Sequence, residues 1–99
     1  MGREESMFII SSTYTRTVDL SEAVVTEHLA FVDHCYNQGR FVASGPRQPF
    51  TGGLIIAHGD SEEEIRALMQ NDPFARDGVA TYEFTRFRPS RAIYPDLVP

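Results

Sequence analysis

The sequence predicts an α+β domain of order βαββαβ, folded as a four-stranded antiparallel sheet with both helices on one face. Three observations lead there. Runs of β-prone residues occur at 7–14, 40–46, 53–59 and 79–88, the second and third reading "RFVASGP" and "GLIIAHG". Between the first and second runs, and again between the third and fourth, lie stretches with helical spacing of apolar residues. Capping residues bracket each of those stretches. A chain of 99 residues is long enough for one domain with one core. We expect a core over about 7–88, a polar leader at 1–6 and a tail at 89–99.

Taken in order, "MFIISSTY" supplies the first strand. A long helix is expected from Leu20 to Gln38, with Asp19 as its cap, Glu22 at the reciprocal capping-box position and Gly39 as a left-handed stop. The two central strands follow, joined by the loop "RQPFTGG". Ser61 and Glu64 form a second capping box ahead of a helix whose apolar face carries Ile65, Leu68 and Met69. Pro73 disfavours helical geometry at Asp72, so this helix should end near Asn71. Asp72 then becomes the N-cap of a short turn, Pro73 to Arg76, and Gly78 releases the chain into the last strand. On that strand Tyr82 and Phe84 share one face and Phe87 takes the other. An apolar outer face calls for a cover, most simply a second copy of the chain.

Composition removes several functional classes. The net charge of −5 argues against a nucleic-acid partner, since phosphate binding needs a basic surface. An RNA-recognition motif shares this element order, but its aromatic signature belongs on the third strand, and "GLIIAHG" carries no aromatic. All nine basic residues are Arg, which excludes lysine Schiff-base chemistry. The single Cys35 excludes an internal disulfide and a sulfur-rich zinc site. No apolar run is long enough for a membrane helix, and the leader lacks a signal region, so no membrane association and a cytoplasmic location are expected.

On the first helix Leu20, Val24, Phe31 and Cys35 fall within about 40° of Val24 at the helical angle per residue. His28 lies inside that arc. Two readings are open: a core histidine satisfied by a backbone carbonyl, or a general acid–base in a pocket between helix and sheet. Cys35, about 10 Å from His28 along the axis, is too far to be its nucleophile and reads as core packing. His34 points away into solvent, and His58 reads as a loop residue. Asp72 can cap its turn with one carboxylate oxygen and keep the other for a second partner. Ser44 and Gly45, at a strand end, read either as a plain turn or as a hydroxyl and a close backbone approach for a ligand.

His28, "GRFVASGP", "GGLIIAHGDSEEE" and "NDPF", in that order and spacing, resemble the YciI-like (YCII-related) domain family. The resemblance spans residues 7 to about 88. It implies a ferredoxin-like fold that pairs into a dimeric α+β barrel. It also implies an active-site pair, the helix histidine and the Asp-Pro-Phe aspartate, which match His28 and Asp72. One branch of that family is a dehydrochlorinase acting on chlorinated hydroxyhydroquinone. On this basis His28 and Asp72 are the expected catalytic residues, with Ser44 and Gly45 lining the same cavity. A homodimer with a small-molecule ligand is expected, and the scheme requires no metal or organic cofactor. The expected function is a lyase or isomerase on a small hydroxylated, aromatic compound. The competing expectation is a non-catalytic ligand-binding or accessory module of the same fold.

Overall fold

Successive residues of a strand point to opposite faces of the sheet, so in the first strand Phe8, Ile10, Ser12 and Tyr14 share one face and Met7, Ile9, Ser11 and Thr13 the other. The computed structural model describes residues 6–98; the rest of the expected leader, residues 1–5, and the last residue of the tail lie outside the described residues. The elements are β1 (Ser6–Tyr14), α1 (Ala23–Asn37), β2 (Phe41–Pro46), β3 (Gly53–Gly59), α2 (Glu62–Met69), α3 (Pro73–Arg76) and β4 (Ala80–Phe87), with a short 3-10 turn at Pro95–Leu97. The strands are antiparallel in the order β2-β3-β1-β4, the arrangement expected of the βαββαβ order.

Register places Ile10 opposite Ile55 on one side and Phe84 on the other. Those side chains meet α1 and α2 on a single face, in a core that includes Phe8, Ile10, Cys35, Ile65 and Met69, all almost fully buried. Cys35 is thus packing, as expected. A second cluster, Val25, Phe74, Val79 and Ala80, sits where α1 crosses α3 and the start of β4. The opposite face of the sheet leaves Ile9, Leu54 and Phe87 exposed. Among the described residues no helix is long and apolar enough to cross a membrane.

The caps follow the sequence closely, with instructive departures. Gly39 adopts φ +72°, and the N–H groups of Gly39 and Arg40 donate to Tyr36 and Cys35 at 2.9 Å each. That is a Schellman ending, which glycine permits without a Cβ penalty. Ser61 accepts from the Glu64 N–H at 3.1 Å, but the Glu64 carboxylate takes the Asp60 N–H instead of that of Ser61. The first helix starts at Ala23, three residues later than expected. The Glu22 carboxylate takes the Asp19 N–H at 2.9 Å, the reciprocal half of the expected capping box, and also pairs with Arg16 at 2.8 Å. The Asp19 carboxylate instead accepts from the Ser21 N–H at 2.9 Å, closing an Asx turn ahead of the helix. Leu20, expected on the buried stripe, is therefore 72 % exposed. His58 lies within β3, half-buried and opposite Met7, and not in a loop.

One glycine fixes how the 47–52 loop meets the sheet. A Cβ on Gly52 would lie 1.9 Å from the Ser12 carbonyl oxygen, so the loop backbone rests directly on β1. This contact brings Phe50 over Tyr14, with ring centroids 5.4 Å apart in edge-to-face geometry.

Candidate active site

Asp72 stands at the start of α3 because Pro73 ends α2 and suits the first position of the next turn. Its side chain is fully buried. An isolated carboxylate in that position would be strongly disfavoured, so the number of donors aimed at it decides whether it is tolerated. Three are present. The Phe74 N–H donates to Oδ1 at 3.0 Å, His28 Nδ1 lies 2.8 Å from the same oxygen, and the Tyr82 hydroxyl donates to Oδ2. The expectation that the cap and His28 would use different oxygens is corrected. Both share Oδ1, through its two lone pairs, because Tyr82 claims Oδ2.

An ionised carboxylate only accepts, so its contact with Nδ1 requires the proton on Nδ1. The neutral imidazole then has Nε2 as its bare nitrogen. The ring is also fixed in plane: it stacks on Phe74 with centroids 3.9 Å apart and an interplanar angle of 1°. His28 is thus held by Asp72 in tautomer and by Phe74 in orientation, while its side chain remains 20 % exposed.

That remaining exposure opens into a cavity of about 400 Å³ between α1 and the sheet. His28, Ser44 and Gly45 line it, together with apolar side chains such as Val25, Val32 and Ile55. Exposed Leu20 and Phe50 stand at its rim. Asp72 does not line the cavity; it lies behind His28. Ser44 Oγ shares a hydrogen bond of 2.7 Å with the Tyr36 hydroxyl, in which either oxygen can donate. The structure therefore brings His28 and Asp72 into contact and places Ser44 and Gly45 along the same cavity wall. Among the described residues no group of three His, Cys, Asp or Glu is arranged to hold a metal ion.

Two partners were not legible as site residues. Tyr82 reads from the sequence only as a large residue on one face of the last strand, and its pairing with Asp72 depends on β4 lying beside β1. Phe74 reads as the second residue of a turn. Their placement also sets acidity. Burial first, then the negative charge of Asp72 and the hydrogen bond to it, push the Tyr82 phenol well above its ordinary range. Burial and the charge of Asp72 raise Tyr14 in the same direction.

Comparison with known proteins agrees with this architecture. The YCII-related domain profile matches residues 7–88. The fold is similar to that of 5-chloro-2-hydroxyhydroquinone dehydrochlorinase (TftG) from Burkholderia phenoliruptrix AC1100, in complex with 2,5-dihydroxybenzoquinone. The TM-score is 0.63 at 19 % identity, covering 83 % of this chain and 93 % of that one. It is also similar to SnoaB, a cofactor-independent oxygenase from Streptomyces nogalater, with TM-score 0.52 at 19 % identity, covering 91 % and 97 %. No curated protein sequence matches the chain.

Because the folded chain retains a Tyr82 proton that the unfolded chain releases near pH 10.0, its contribution is intact below that pH and is lost as pH rises above it. Urea unfolding between pH 7 and 11 should show wild-type stability falling above pH 10, and falling less steeply in Tyr82→Phe. At pH 7 the variant should be less stable by about 1–3 kcal/mol, the cost of an under-satisfied buried acceptor. Parallel pH curves would show that Asp72 does not hold the phenol.

Proposed function

The chain belongs to the YCII-related domain family, and on that premise we propose that it is a cofactor-independent acid–base enzyme. The proposed class is a lyase or isomerase acting on a small hydroxylated, aromatic compound. One observation carries the reading: a histidine held through Nδ1 by a buried carboxylate lines an otherwise largely apolar cavity, which leaves Nε2 as the nitrogen available to a ligand. Such a nitrogen can take a proton from a hydroxyl or an acidic carbon and return it elsewhere on the same molecule. Low polarity around it strengthens each interaction made with the charge that forms. Asp72 acts as a positioning residue, fixing the tautomer and stabilising the imidazolium, in the manner of the acid in a hydrolase triad.

A flat ring suits the space, because aromatic rings and branched aliphatic side chains make up most of its walls. The two fold neighbours add compatible precedent: one is a dehydrochlorinase bound to a dihydroxybenzoquinone and the other a cofactor-independent oxygenase. Ser44 and the Gly45 backbone are proposed to contact the far side of the ligand. The test is halide release and quinone absorbance with 5-chloro-2-hydroxyhydroquinone and related halogenated hydroquinones. His28→Gln should reduce kcat by about 10²–10⁴-fold, the usual range for a general base, without a matching loss of melting temperature. Ligand binding with no turnover in the wild type would instead favour the non-catalytic module.

The same reading includes a homodimer. Ile9, Leu54 and Phe87 are exposed on the face of the sheet opposite the helices, and a second sheet laid over them would bury that apolar surface, about 25 cal/mol for each Å². Sedimentation at micromolar concentration should give the mass of two chains, and Ile9→Arg should shift it toward one. A wild-type monomer at that concentration would remove the dimeric barrel from the account.

A further inference from the structure

The cavity holds a second polar group that the acid–base scheme has not used. Tyr14 is the last residue of β1 and lies on the helix-facing side, in step with Phe8, Ile10 and Ser12. Its ring is gripped from two directions, by Phe50 at 5.4 Å and by Phe74 at 5.9 Å, both edge to face. Phe74 is also the ring on which His28 stacks. Tyr14 and His28 therefore share one support and line one cavity.

The other hydroxyls along that wall are already engaged. Tyr82 donates to Asp72, Ser44 is paired with Tyr36, and Ser12 accepts from the Gly53 N–H at 2.8 Å. The Tyr14 hydroxyl makes no hydrogen bond among the described residues, and no buried side-chain oxygen or nitrogen there lacks a partner. Its oxygen therefore reaches open space. A phenol carries its proton at neutral pH, and burial and the charge of Asp72 shift it further toward that state, so it is available there as a donor.

Resting on the acid–base reading of His28, we propose that Tyr14 donates a hydrogen bond to the substrate oxygen from which His28 removes a proton, which makes the preferred substrate an acidic ring hydroxyl. In this step the substrate O–H bond breaks and an N–H bond forms at Nε2. The electron pair stays on oxygen as a phenolate, to which Tyr14 donates; nothing is oxidised or reduced. Donors aimed at a developing oxyanion stabilise it most where water is excluded.

The experiment uses 4-nitrophenol, whose absorbance separates phenol from phenolate, in a buffer more acidic than its own ionisation. The wild type should bind it with an enhanced phenolate band, and His28→Gln should lose that band. Tyr14→Phe should weaken 4-nitrophenol binding about ten- to hundred-fold, as expected for a hydrogen bond to a charged oxygen. Its affinity for nitrobenzene, which lacks the hydroxyl, should stay at the wild-type value. Replacing Tyr14 with 3,5-difluorotyrosine keeps the ring and strengthens the donor, so 4-nitrophenol should bind more tightly. Wild-type affinity in both Tyr14 variants, with the band still lost in His28→Gln, would overturn the role of Tyr14 and leave His28 as the base. No binding by the wild type would overturn both.

Discussion

A single buried carboxylate organises this molecule. Asp72 has no exposed surface, and its two oxygens collect donors from three separate elements: the α3 backbone, the His28 imidazole on α1 and the Tyr82 phenol on β4. Each donor alone would leave the charge under-satisfied in a medium that penalises it. Together they tie helix, turn and strand to one point. The same arrangement that makes the carboxylate tolerable also removes rotational freedom from the imidazole. Stability and orientation are thus two consequences of one hydrogen-bond set.

Around that point the aromatic rings form a second, apolar layer of constraint. Phe74 stacks flat on His28 and meets Tyr14 edge-on, so the turn that caps with Asp72 also delivers the ring that fixes two cavity side chains. Proline at the start of the turn limits its backbone freedom before folding. The Asp72–Arg76 segment accordingly positions the His28 ring, the Asp72 carboxylate and the Tyr14 phenol. The 47–52 loop closes the other side, pressed onto β1 because Gly52 has no side chain to hold it away.

Much of this was legible in the sequence, and the pattern of what was not has a physical basis. The Gly39 stop, the Ser61 cap and the Asp72 cap are local: each depends on residues within a few positions of each other. His28 stood out because a titratable ring interrupts an apolar arc, and the family resemblance supplied Asp72 as its partner. The start of α1 was misplaced because the Asp19 carboxylate turns to the Ser21 N–H and closes a local Asx turn, even though Glu22 takes the Asp19 N–H as a capping box requires. His58 was misread because a glycine after it suggests a loop, whereas β3 continues through Gly59. Tyr82 and Phe74 escaped notice as partners of the dyad for a different reason. Their contacts join residues 10 and 46 positions apart, and a pattern of spacing on one strand or turn holds no information about the other side of such a contact.

The central claim is that Asp72 holds His28 with its proton on Nδ1 and Nε2 facing the cavity. Nitrogen-15 NMR of the His28 ring tests this most directly, at a pH where the imidazole is neutral. The account predicts a protonated Nδ1 whose proton exchanges slowly, a bare Nε2, and loss of that preference in Asp72→Asn. A dominant Nε2–H tautomer in the wild type, unchanged by Asp72→Asn, would contradict it.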